Sequence, residues 1–287
     1  MEQDIRIDFA GIGARKSAST WVYGCLSQHP EVNCARKNAG FFFDPPSLGP
    51  QHYRALFGTA RRGLNGDFTD GYLYDCDIAR RIHNFNPEMR IIVSLRNPVQ
   101  VMYSAFVFAH SGFDTLGPIP DFDAYLSRGS WLGVPAKEMG FLAKHLAVYR
   151  ELFSPNQVHA ILFDDICSQP VAVVQSLYKF LGVGAEFQPA QGRGMVNEST
   201  VIRSRGLASV ARSVVRGIKA VRLGWLAENA FVMSLYRRIN KKRPPPLDAD
   251  MWAHLWELYR DDVHSLGNLL DRDLEAWGRP PATEGMA

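Results

Sequence analysis

The sequence predicts an α/β fold in which a central parallel sheet is flanked by helices in three layers. Three observations predict it. Ile7 to Leu26 reads as strand, loop and helix in immediate succession, with Phe9 and Ile12 in a strand-like run, turns at Gly11 and Gly13, and Trp21, Val22, Cys25 and Leu26 at amphipathic helical spacing. Met89 to Leu95 is the clearest strand, of the kind buried on both faces of a parallel sheet. The 287 residues, 46% of them hydrophobic, can fill one sizeable core, so a single domain over 1–287 is expected rather than two independent ones.

The remaining elements follow in order. His29-Pro30-Glu31 ends the first helix, and Val32 to Ala35 is short enough to be a buried parallel strand. Pro45 to Gly49 is a loop. Residues 112–134, rich in Gly, Pro, Ser and Asp, form a long irregular excursion of the sort that builds binding sites above a rigid sheet. Leu142, Leu146, Tyr149 and Phe153 fall at helical spacing and read as core. From Arg203 to Arg243 eleven basic residues face Glu228 alone, interleaved with apolar positions. Such a segment is most simply a solvated cationic face, with peripheral membrane contact or closure over an anion as the alternatives. Pro244 to Pro246 is a stiff break before the final helices.

Composition narrows the class without naming a partner. A formal charge of +3 and a pI near 8.7 suit an anionic ligand and fall short of a nucleic-acid-binding signature. Cys25, Cys34, Cys76 and Cys167 are widely spaced, without metal-ligand spacing, and read as reduced structural thiols. The opening Met1-Glu-Gln-Asp is acidic and leads straight into a strand, so a cytoplasmic protein is expected.

The chemistry concentrates in the first loop. Backbone N–H groups and the positive end of a helix converge there, Arg15 and Lys16 add charge, and Ser17, Ser19 and Thr20 add hydroxyls. An anion of phosphate or sulfate type fits that set. A Walker A loop is not the match, because Lys16 follows Arg15 rather than Gly. Gly13-x-x-Lys16-x-x-Ser19-Thr20-Trp21 instead resembles the 5′-phosphosulfate loop of PAPS-dependent sulfotransferases, G-x-x-K-x-G-T-T-W, with Ala18 where Gly is usual and Ser19 where Thr is usual. Ala18 is tolerable there if its φ stays below zero.

A second segment agrees. Arg96-x-Pro98 followed by Ser104 resembles the family's 3′-phosphate motif, and it lies about eighty residues beyond the first loop. The two together specify a nucleotide with phosphate at both ends. Weaker agreement runs through Gly140-Phe141, Val158 to Asp165, Phe180 to Val183 and Asn197 to Ser199, and resumes around Leu266 to Trp277. The resemblance implies a soluble, bacterial-type member with a P-loop-like fold. It divides the domain into a nucleotide-binding core over 1–205 with acceptor loops about 112–134, a basic helical excursion over 206–246, and C-terminal helices over 247–287 packing on the core. It further implies PAPS as co-substrate, no metal, and a small-molecule acceptor. The implied cofactor-binding residues are Gly13, Arg15, Lys16, Ser17, Ala18, Ser19, Thr20, Trp21, Arg96, Ser104 and Arg193.

One departure bears on catalysis. The family's K-E-x-x-F-F segment corresponds to Lys37-Asn38-Ala-Gly-Phe-Phe, and its Glu is the proposed base that takes the acceptor proton; Asn38 cannot hold one. Asp67, in a segment resembling G-E-x-T-P-x-Y with Asp70 in place of Pro, and His110 are the replacements expected beside Lys16 as catalytic residues, with Asp44 behind them. Asp67 has an alternative reading as a carboxylate that caps or pairs within the fold. A PAPS- or PAP-binding module without turnover is the other class, and a P-loop-type phosphotransferase a third.

Overall fold

The computed structural model describes residues 6–43, 57, 63–109, 122–127, 135–193, 201–202, 241–242 and 247–280. Five strands, β1 (Phe9–Gly13), β2 (Val32–Cys34), β3 (Leu64–Phe68), β4 (Arg90–Leu95) and β5 (Val158–Leu162), form one sheet in the order β2-β3-β1-β4-β5. Every neighbouring pair is parallel, as the apolar runs predict. After β1 the chain builds β2 and β3 to one side, then crosses to β4 and β5 on the other. The carboxyl end of β1 therefore lies at a topological switch point, where open α/β sheets bind ligands.

The helices are α1 (Ser19–Gln28), α2 (Cys76–Phe85), α3 (Pro98–Phe108), α4 (Phe122–Ser127), α5 (Leu142–Leu152), α6 (Phe163–Ser168), α7 (Pro170–Leu181) and α8 (Ala249–Leu270). Alternation along each strand sends side chains to opposite faces. Phe9, Ile92 and Ile161 join Trp21, Leu26 and Leu177 in a core beneath α1 and α7. Ala10, Ile91 and Val93 join Ile82, Leu146, Tyr149 and Leu255 in a larger core beneath α2, α3, α5 and α8. The result is the predicted three-layer α/β arrangement.

Several local expectations change. Gly11 is a strand residue, not a turn: a Cβ there would stand 2.1 Å from the Phe68 ring, so glycine makes room for the neighbouring strand's aromatic. The acids Asp164 and Asp165 lie in the first turn of α6. The C-terminal helix begins at Ala249 and ends at Leu270, with Trp277 in a separate 3-10 turn, Glu275–Gly278. Within the 112–134 excursion, Phe122–Ser127 is helical. Most of the basic 203–243 segment, and with it the membrane-contact reading, lies outside the described residues, although a short antiparallel pair joins Val201–Ile202 to Lys241–Lys242. No helix among the described residues is long and apolar enough to cross a membrane.

Candidate active site

The site begins where β1 stops. Gly13 has φ +128, and a Cβ there would meet the Asp70 carbonyl oxygen at 2.7 Å, so only glycine lets the β1 loop pass this close to the end of β3. The loop is pinned on both sides. Ala14 N donates to Ser94 O at 2.7 Å, Ser94 Oγ donates to Gly13 O at 3.1 Å, and Arg15 N donates to Tyr74 Oη at 3.1 Å.

Lys16 and Ala18 both adopt the left-handed conformation, with φ of 61° and 65°. The expectation of a negative φ at Ala18 is thereby corrected: the position keeps the backbone that favours glycine, at a cost to alanine of roughly 1–2 kcal/mol. Left-handed residues placed along a short loop are the ingredient of an anion-binding nest. Ala18 also serves as N-cap of α1 and offers the first turn no side-chain hydrogen bond. An anionic ligand is the partner such a helix terminus takes.

The side chains of the loop separate by direction. Ser17 and Ser19 are buried, Thr20 is exposed, and Trp21 sits in the apolar core beneath α1. Ser17 Oγ donates to Arg15 O at 3.3 Å. The Lys16 ammonium lies 4.5 Å from the centroid of the Phe108 ring. Burial, reinforced by the charges of Arg15 and Arg96, lowers its pKa to about 8.

The second motif reaches the first directly. Arg96 Nη1 donates to Lys16 O at 3.4 Å, its Nε donates to Gln100 Oε1 at 3.0 Å, and its guanidinium carbon lies 4.1 Å from the Phe163 ring centroid. Desolvation lowers its pKa, so an anion beside it would be strongly attracted. Pro98 opens α3 as expected, and Ser104 is buried on that helix. Asn97 Oδ1 caps α3 by accepting from Val99 N at 3.0 Å, while Asn97 Nδ2 donates to Trp277 O at 2.8 Å. The C-terminal turn is thus part of this wall.

Asp67 takes neither an exposed nor a loop-facing position. It is fully buried, accepting hydrogen bonds from the Tyr72 hydroxyl and, at 3.4 Å, from Thr69 Oγ1. Burial pushes its carboxyl up to about 6 against the pull of those bonds. Tyr72 Oη in turn accepts from Phe42 N at 2.9 Å, and Thr69 Oγ1 from Gly40 N at 3.1 Å. Asp67 therefore anchors the segment that carries Lys37 and Asn38.

Asn38 has φ 59, a conformation asparagine tolerates better than glutamate, and its Oδ1 accepts from Asp70 N at 3.1 Å. Beside it stands a carboxylate that motif comparison passed over. Asp70 Oδ2 accepts from Lys37 Nζ at 3.1 Å and from Ser19 Oγ at 3.4 Å. The clue in the sequence was position: Asp70 follows β3 directly, and residues just beyond adjacent parallel strands converge. His110 and Asp44 lie outside the described residues. Arg193 ends a short 3-10 turn, Ala190–Arg193, and its side chain also lies outside the described residues.

A cationic loop at the switch point, joined through one arginine to the turn after the neighbouring strand β4, belongs to an α/β fold of the P-loop-like kind. The sulfotransferase domain family matches residues 81–205. Mouse heparan sulfate glucosamine 3-O-sulfotransferase 6 is 26% identical over 180 residues, covering 60% of this chain and 51% of its own length. Mouse bifunctional heparan sulfate N-deacetylase/N-sulfotransferase 4 is 23% identical over 94% of this chain and 31% of its own. The chain spans about half the length of the first of these relatives. The crystal structure of a sulfotransferase from Alicyclobacillus acidocaldarius shares the fold, with a TM-score of 0.69 and 23% identity over 96% of this chain and 100% of that one. These comparisons show a chain similar to sulfotransferases over residues 81–205 and sharing their fold.

Proposed function

We propose that the chain transfers a sulfonate group from 3′-phosphoadenosine 5′-phosphosulfate to a hydroxyl or amine of a small acceptor, by in-line displacement at sulfur. The observation that carries this reading is the Arg96 to Lys16 hydrogen bond, which brings the two phosphate-recognition segments into one wall. One nucleotide with phosphate at both ends would satisfy both. The glucosamine units named for the mammalian relatives make a sugar hydroxyl or amine the first acceptor class to test.

Each group has a task in that reaction. Gly13 to Ser19 would receive the 5′-phosphosulfate, and Arg96 with Ser104 the 3′-phosphate. Negative charge grows on the bridging oxygen as the sulfur–oxygen bond breaks. The Lys16 ammonium would then hold the transition state more tightly than the ground state. Asp67 keeps the Lys37–Phe43 segment in place and acts on the acceptor only through it.

Calorimetry with 3′-phosphoadenosine 5′-phosphate (PAP) against AMP tests the reading. Loss of the 3′-phosphate contacts should cost about 2–4 kcal/mol, roughly a factor of 30 to 1,000 in affinity, and Arg96→Ala should erase the preference. Equal affinity of the wild type for both nucleotides would remove its support. Labelled sulfonate from PAPS appearing on a glucosamine oligosaccharide or on simple alcohols and phenols would separate an enzyme from a binding module.

A further inference from the structure

We propose that Asp70 is the general base of this site, taking over the task of the glutamate that Asn38 replaces. The inference rests on the sulfonate-transfer reading above.

The geometry singles out this carboxylate. Asn38 and Asp70 are joined by the hydrogen bond from Asp70 N to Asn38 Oδ1, so a carboxylate at residue 70 stands next to the place from which one has been lost. Its Oδ2 meets Ser19 Oγ, at the first residue of α1, and its backbone touches the loop at Gly13. It is therefore at the edge of the proposed phosphosulfate cradle. Asp67, three residues earlier on β3, is closed off under Tyr72 and Thr69 with no exposed surface. The Asp70 side chain is 14% exposed and its partner Lys37 16%, which leaves a path for an acceptor.

Lys37 holds the carboxylate in place through the 3.1 Å ion pair to Oδ2. Asn38 does the complementary work. Its left-handed backbone and amide oxygen fix the Asp70 main chain, a role glutamate would fill less well because of its strain at φ 59. In the reaction the acceptor oxygen forms its bond to sulfur as the bond from sulfur to the bridging phosphate oxygen breaks. The acceptor proton passes to an Asp70 carboxylate oxygen, and PAP leaves carrying the electron pair of the broken bond. The carboxylic acid then returns its proton to water.

An exchange of the two side chains tests this in the full-length protein, since Asp and Asn are isosteric. Wild type, Asp70→Asn, Asn38→Asp and the double variant Asn38→Asp/Asp70→Asn would be compared for PAP affinity by calorimetry. Labelled transfer from PAPS to glucosamine oligosaccharide and to aliphatic alcohols would be followed across pH. General-base assistance is typically worth about 10²–10⁴-fold, so Asp70→Asn should lower turnover by about that range and flatten the acid limb of its pH profile. PAP affinity should stay within about threefold or improve, as a negative charge leaves the anion site. The double variant should recover at least about tenfold of the loss, because a carboxylate returns to the neighbouring position.

The outcomes are distinct. Transfer by Asp70→Asn at the wild-type rate with its acid limb intact overturns the assignment while leaving sulfonate transfer standing. A loss of turnover matched by a loss of PAP affinity, with no recovery in the double variant, shows an ion pair that only shapes the loop and also overturns it. A wild type that neither prefers PAP nor transfers sulfonate overturns both readings together.

Discussion

At the scale of the residue, Lys16 is the most informative group, because the free protein holds its charge at a disadvantage. Burial first, and then Arg15 and Arg96, bring its pKa to about 8. An anionic nucleotide reverses the second effect and raises the pKa in the complex, so binding takes up a proton wherever the free lysine has lost one. Affinity for PAP should therefore fall above pH 8, by about tenfold between pH 7 and pH 9. Calorimetry in buffers of different ionisation heat would show proton uptake near pH 9, well above the pH of about 6 at which the nucleotide's own phosphates titrate. Lys16→Met should abolish that uptake; its persistence in the variant would assign the proton to another group.

Ala18 makes a second point at this scale. Its left-handed backbone and its burial in the core beneath α1 oppose each other under substitution. Ala18→Gly relieves roughly 1–2 kcal/mol of backbone strain. It also gives up about 0.8 kcal/mol of methyl burial and gains unfolded-state entropy worth about 0.4–1 kcal/mol. The two sides nearly cancel, so chemical denaturation should find the variant within about 1 kcal/mol of the parent, with PAP binding intact.

At the scale of the element, the segment after β2 has little regular structure of its own and depends on β3. Lys37 to Phe43 is held through Tyr72 and Thr69 by one buried carboxylate, Asp67. Burial pushes that carboxyl up to about 6 in the folded chain, from an ordinary value of 3.8. The folded state thus binds more protons between those values, so the stabilising effect is full below pH 3.8 and is lost as pH rises through 6. Asp67→Asn removes the dependence. The variant should gain on the wild type by about 2–3 kcal/mol between pH 4 and pH 7, read as the difference between paired urea denaturation curves. Parallel curves would mean that the carboxyl ionises in the folded chain as it does in the unfolded one, so that burial does not shift it. Tyr72→Phe, which strips Asp67 of a donor and Phe42 N of its acceptor, should cost about 2–4 kcal/mol at neutral pH.

The elements also mark how far the sequence could be read. The parallel sheet was legible because β1, β2 and β4 are short apolar runs with turn residues between them, and the loop at Lys16 because its spacing matches a motif. The left-handed backbone at Ala18 was not, since nothing in an alanine announces a positive φ at the N-cap of a helix. Asp67 resembled a motif carboxylate, and only three-dimensional packing shows Tyr72 lying over it. Asp70 stood in plain view, but a motif that expects proline at that position directs attention away from the charge put there. The Trp277 to Asn97 hydrogen bond spans 180 residues, beyond any local pattern.

At the scale of the molecule, that long contact joins the end of the described chain to the turn at Asn97, beside the proposed nucleotide site. Arg272 holds Asp165 through two hydrogen bonds, of 2.9 and 3.0 Å, and Trp277 Nε1 donates to Asp164 Oδ2 at 2.6 Å. Both acids belong to α6, whose first residue, Phe163, lies under the Arg96 guanidinium. The C-terminal turn therefore supports from behind the wall proposed for the 3′-phosphate, and on that proposal nucleotide binding should be linked to its docking. PAP at a hundredfold excess over its dissociation constant should stabilise the fold by about 2.7 kcal/mol, which for a chain of this size raises the melting temperature by roughly 5 °C or more. Trp277→Ala should cost about 3–5 kcal/mol of intrinsic stability, as truncation of a buried tryptophan does. It should also weaken PAP binding by about tenfold, through the loosened Asn97 turn and Phe163. Leu266→Ala, on the buried face of α8, supplies the comparison. Its cost of about 2–5 kcal/mol is similar, but it lies in the larger core and should leave the PAP dissociation constant unchanged. If calorimetry below both melting temperatures finds that the two variants bind PAP equally well, the C-terminal turn stabilises the fold without shaping the site, and the linkage drawn from Asn97 to Trp277 is wrong.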